Sequence, residues 1–158
     1  MQIFLIACIW VFFHGIALAG EQDITDIKAM KAWPEINFEF NKTTREDVVN
    51  YHLNNGSQLS NNKTPLGNML VAKVKNDVSG YTFSNGKLFA VHNYYPAKAY
   101  DIFLLDISKT LGPSVDYFNP IIKRHVRAWV FPKTVITLGP TDNPEVVVLT
   151  HTLSSVFD

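Results

Sequence analysis

The chain has 158 residues, equal numbers of basic and acidic side chains (14 of each) and a formal net charge of zero. That length is the size of one domain, and 47% apolar with 13% aromatic residues excludes a disordered chain. A neutral domain whose only basic excess is the short cluster Lys123–Arg127 makes a poor nucleic-acid binder, because affinity for a phosphate backbone comes largely from neutralising it, and no nucleic-acid partner is expected.

Residues 1–20 contain no Lys, Arg, Asp or Glu; an apolar run over Ile3–Phe13 is followed by Ala17-Leu18-Ala19, and from Glu21 the chain turns abruptly polar. An apolar stretch this short with an A-x-A site reads as a secretory signal peptide, since a membrane span takes about 20 apolar residues. The expectation is an exported protein, periplasmic or secreted, with no integral membrane span after cleavage. Cys8, the only cysteine, falls inside that segment, so the exported part depends on its own core and not on disulfides.

Residues 21–35 read as an arm or short helix ended by Trp33-Pro34, and 36–158 as a single α+β domain. Ile36–Phe40 alternates with period two and predicts a strand. Thr43-Thr44-Arg45-Glu46 has the form of a capping box on Thr43, opening a helix that runs to Asn54-Asn55-Gly56. Gln58–Gly67 reads as a polar loop, Asn68–Val74 as a strand, and Asn85-Gly86 as the turn of a hairpin joining strands at Tyr81 and Leu88–Tyr94. Pro96 opens a second helix. Tyr100, Phe103, Leu104, Ile107 and Leu111 form its apolar face, and Gly112-Pro113 stops it. His125–Phe131, Thr134–Leu138 and Val146–Leu153 are the closing strands. The expected fold is therefore α+β in the order β-α-β-β-β-α-β-β-β, with two helices packed on one face of a curved, mainly antiparallel sheet.

The Thr-x-x-Glu helix start, the Phe83–Phe89 hairpin, the Leu111-Gly112-Pro113 stop and the Trp129 strand resemble small bacterial envelope proteins built from helix-plus-meander modules. BamE-like outer-membrane assembly lipoproteins and the β-lactamase inhibitor proteins are of this kind. The resemblance spans about residues 36–153 and implies binding or assembly, with another envelope protein as the partner. It departs from the lipoproteins in lacking an acylated Cys after a normal signal, and from the inhibitors in lacking disulfides.

No residue pattern supplies chemistry. His52, His92, His125 and His151 show no metal-ligand spacing, no Gly-x-Ser-x-Gly elbow is present, and there is no phosphate loop. No catalytic residue, metal or cofactor is assigned. His92 and His151 lie on predicted strands, where they could meet across the sheet; a metal site would need them to converge with His125 and a carboxylate such as Asp101. The surplus is aromatic, and Tyr94, Tyr95, Trp129 and Phe131 are the candidate partner-binding residues, on an open sheet face or edge. The leading reading is a non-enzymatic binding module. A carrier of a small apolar ligand is the alternative, followed by a metal-dependent or hydrolytic enzyme.

Overall fold

The computed structural model describes residues 37–64, 67–120 and 122–153, all within the unit Ile36–Asp158. The signal segment 1–20 and the arm 21–35 lie outside the described residues. The elements run α1 (Arg45–Asn54), β1 (Gln58–Thr64), β2 (Gly67–Val74), β3 (Asp77–Ser84), β4 (Lys87–Pro96), a short 3-10 turn (Ala97–Ala99), α2 (Tyr100–Leu111), β5 (Val115–Asn119), β6 (Arg124–Val130), β7 (Thr134–Pro140) and β8 (Val146–Leu153). Among the described residues the fold is α+β: two helices and one open eight-stranded sheet in the order β1-β2-β3-β4-β8-β7-β6-β5, every pairing antiparallel. No helix among the described residues is long and apolar enough to cross a membrane.

This order departs from the expected one in three places. Residues 37–39 are irregular, not a strand. The alternation that suggested one is real, because Phe38 and Phe40 both pack on the core, but the segment lies against the start of β4 and does not extend the sheet. Asn41 N–H donates to the Leu88 carbonyl at 2.9 Å and Leu88 N–H donates to the Thr43 carbonyl at 2.8 Å. The expected polar loop is edge strand β1, fully in register with β2 from Gln58↔Lys73 to Thr64↔Gly67. Strand β5 was not foreseen. Both missed strands are sheet edges with little buried, so neither carries the alternation that reveals a strand.

The helix starts one residue later than the capping motif suggested. Thr44 is the N-cap: its hydroxyl accepts from Asp47 N–H, and the Asp47 carboxylate accepts from Thr44 N–H at 2.8 Å. The backbone and side chain of Thr44 hold the Asp47 carboxyl below its ordinary range. Thr43 is instead turned back to accept from Glu39 N–H at 2.8 Å. The hairpin falls where expected, with Asn85 and Gly86 at φ 50° and 76°, the left-handed pair that a two-residue turn requires.

Cross-strand register divides the sheet into two unlike faces. On one, Leu70, Tyr81, Val91, His151, Ile136 and Trp129 are successive partners across β2-β3-β4-β8-β7-β6, and all are buried. Val48 of α1 joins Leu70, Ala72, Tyr81, Leu88 and Val91 in the core. Phe103 of α2 lies 4.4 Å from the Tyr95 ring, and the Trp129 indole N–H donates to the carbonyl of Gly112, just past the end of α2, at 3.0 Å. The other face carries the neighbouring row Val71, Gly80, His92, Thr150, Thr137, Ala128 and Val115, whose members are small or polar through the centre.

Burial predicts the stability map. Leu88→Ala and Ile107→Ala, both essentially inaccessible, should each cost about 2–5 kcal/mol in urea unfolding. Leu105→Ala, on the 56% exposed side of the same helix as Ile107, should change stability by no more than about 0.5 kcal/mol.

Candidate functional site: a groove on the small-residue face

The alternation of β7 and β8 sorts their side chains between the two faces. Thr134, Ile136 and Leu138 point to the large-residue face and are buried, while Thr137, Gly139, Val148 and Thr150 belong to the other. On that second face a groove of about 440 Å³ opens. Its lining comes from both halves of the sheet: Met69, His92 and Tyr94 on one side, Val126, Arg124 and Asn119 on the other, with Thr137, Thr150 and Gly139 between them and the turn Thr141–Asn143 at one end. For β2 and the end of β5 to line one groove, the sheet must bend towards this face. A register shift between Thr82 and Phe83 supplies local curvature.

Two glycines shape the groove. A Cβ at Gly80 would overlap the Met69 sulfur, and one at Gly139 would overlap the Val126 side chain. Each glycine therefore lets a large neighbour lie flat on the sheet instead of standing into the space. Mid-strand glycine with such a close approach is the use expected of it.

The polar groups on the floor are organised. One His92 nitrogen is bonded to Thr82 Oγ1 and the other to Thr150 Oγ1, both at 3.0 Å. Burial pushes the His92 pKa down to about 4, so the ring is neutral at pH 7 and one threonine donates to it while the other accepts. At the mouth, Arg124 pairs with Asp142 at 3.0 Å and donates to the Thr141 carbonyl. The charges lining the groove thus cancel locally.

The four aromatic candidates from the sequence do not come together. Tyr94 lines the groove, half-buried, with its hydroxyl 3.7 Å from the Met69 sulfur, and burial raises its pKa. Tyr95, one residue on, faces the opposite way onto Phe103; burial, and then the Asp77 charge, pushes its pKa up to about 12. Trp129 is 3% exposed with its indole N–H satisfied, so it is a core residue. Phe131 is half-buried beyond the end of β6, where its backbone N–H donates to the Thr134 carbonyl. Among the described residues the exposed aromatics are elsewhere: Tyr117 and Phe118 on β5 and Tyr51 on α1. Glycine inside a strand marks a close approach, but Gly139 falls just past the expected strand Thr134–Leu138 and so carried no such signal; β7 runs on to Pro140. Arg124, Thr137 and Thr150 carried no signal of their own.

The histidines are also dispersed. His92 pairs with Thr150 and His151 with Val91, which puts the two rings on opposite faces. His151 packs edge-on against Phe40 at 4.9 Å, and neither of its ring nitrogens has a hydrogen-bond partner. Burial lowers its pKa to about 4. His52 is buried between Ser57 Oγ at 3.0 Å and the Tyr81 hydroxyl at 2.8 Å, and burial lowers its pKa. This Ser–His pair looks like a nucleophile with its base, but Ser57, His52 and Tyr81 are all buried, with Phe38 packed on the last two, so the network tethers α1 to β3. His125 is exposed and bonded to Asp116 at 2.6 Å. Among the described residues no three His, Cys, Asp or Glu side chains are grouped to hold a metal ion.

No family model, curated protein or solved structure matches the chain.

The buried histidines make stability acid-sensitive. For His92 and His151 the folded-state value near 4 lies below the ordinary 6.5, so on acidification the unfolded chain takes up protons first. Their contribution is intact above about pH 6.5, is lost as pH falls from about 6.5 to 4, and levels off below, on the order of 3 kcal/mol for each ring. His151→Leu should remove its share of that loss and leave stability at pH 7 unchanged or higher, because two unpartnered nitrogens leave the core. Urea midpoints measured from pH 7.5 to 4 on both proteins check this; parallel curves would refute it.

Proposed function

We propose that this chain is an exported, non-enzymatic binding or assembly module of the bacterial cell envelope, and that it takes a protein partner on the β5 edge of its sheet. The observation that carries this reading is the contrast between the two edges. Strand β1 shows Gln58, Ser60, Asn61, Asn62 and Lys63 to solvent, the polar, Lys-bearing character that discourages pairing. Strand β5 shows Val115, Tyr117 and Phe118 at 39%, 45% and 50% exposure. An edge with open backbone groups and apolar side chains on both sides is what an added strand of a partner requires: main-chain bonds for affinity and alternate side chains for specificity.

Three further observations support the reading. Helices α1 and α2 both make contacts with large-residue-face side chains, so in this proposal they cover that face and leave the β5 edge clear. The apolar segment and A-x-A pattern of residues 1–20 suit an exported protein. The helix-plus-meander resemblance to BamE-like and inhibitor proteins points to the same kind of role.

A photo-crosslinking residue placed at Tyr117 or Phe118 in the native cell should capture one envelope protein, and the same residue at Asn62 on β1 should not. With that partner purified, Phe118→Lys should weaken binding at least tenfold, about 1.4 kcal/mol, with the unfolding midpoint unchanged. Equal capture from both edges, or wild-type affinity for Phe118→Lys, would overturn the proposal.

A further inference from the structure

The groove on the small-residue face has properties that a merely uncovered sheet surface would not have. Its floor is small and polar where the opposite face is large and apolar, and two mid-strand glycines keep Met69 and Val126 lying flat in its lining. A sheet face built only to meet water has no need of either. At about 440 Å³ the groove is within the range of small-molecule sites.

The lining also defines the chemistry of an occupant. Its charged pair, Arg124 and Asp142, is joined at 3.0 Å on the solvent-exposed rim and carries no net charge, so the groove has no field that favours a charged guest over a neutral one. Met69, Tyr94, Val126 and Val148 offer apolar contact. Thr150, engaged by His92 at 3.0 Å, retains capacity for a further hydrogen bond, since a hydroxyl both donates and accepts. We propose that the groove is a binding site for a small uncharged molecule with an apolar body and at least one amine, hydroxyl or carbonyl group, seated between Tyr94 and Val126 and bonded to Thr150. This site is separate from the outward edge of β5, and its test does not depend on a protein partner.

The probe is N-phenyl-1-naphthylamine, an uncharged aromatic amine whose fluorescence rises in apolar surroundings, titrated into the purified protein at pH 7.5. Saturable 1:1 binding is expected, at least tenfold tighter than that of the anionic 8-anilinonaphthalene-1-sulfonate. Thr137→Phe, which puts a ring into the groove, should weaken it at least tenfold. Amide chemical-shift mapping on the wild-type protein locates the site even if that variant fails to fold, and the largest shifts are expected at Thr137, Gly139, Val148 and Thr150. Absence of saturable binding, equal or tighter binding of the anion, unchanged binding by a folded Thr137→Phe, or shifts confined to β5 would each overturn the proposal. Loss of the β5 partner interaction alone would leave it standing.

Discussion

The row Leu70–Tyr81–Val91–His151–Ile136–Trp129 is the constraint on which the rest of the structure depends. It crosses six strands, every member is a direct cross-strand partner of the next, and none is more than 6% exposed. Beyond the shift at Thr82/Phe83, side chains alternate between faces, so a slip of one residue in a strand would drive its large apolar set out to the other side. The same row anchors both helices, through Tyr81 to His52 of α1 and through Trp129 to the end of α2. Register, helix docking and the composition of the opposite face are therefore fixed together. His151 is the one member that costs stability. Its two unpartnered nitrogens are tolerated because the ring stays neutral and packs as a flat, nearly apolar group against Phe40.

Where burial was one-sided and deep, the sequence was legible. The α2 stripe, the Asn85-Gly86 turn and the β7 and β8 alternation all report a large difference in environment between neighbouring residues, which is what periodicity measures. Edge strands lack that difference. β1 buries only Leu59 and Thr64, each in part, and β5 is exposed along four of its five residues, so composition there reads as loop. Phe38 and Phe40 show the converse error. They alternate because both touch the core, but a segment that crosses the end of a sheet can bury every second residue without pairing as a strand. The choice between Thr43 and Thr44 as the cap could not be made from spacing, since each has an acidic residue three positions on; the backbone tie of Thr43 to Glu39 and Leu88 decides it.

The candidate site was harder to read for a related reason. Aromatic residues were singled out as a surplus, but an aromatic side chain is as useful to a core as to an interface. Trp129 went to the core and half-buried Tyr95 packs on Phe103, while Tyr94, next to Tyr95 in sequence, faces the groove because neighbours on a strand point opposite ways. The groove floor is set by Gly139, Thr137 and Thr150, with Met69 laid over Gly80 beside them. None of these stands out in a sequence until the register sets them side by side.

Curvature connects the two surfaces. A flat sheet with this small-residue face would expose Thr82, Ala90 and Ala128, yet each is almost wholly buried. Bending brings the Met69–Tyr94 side towards the Val126–Arg124 side, and the flat-lying Met69 and Val126 side chains allow the approach without filling the space. Asn119, at the end of β5, is part of the groove wall; Tyr117 lies on the same face, outside the lining, and Phe118 on the opposite one, both exposed. A strand added to β5 would therefore continue the wall of the groove.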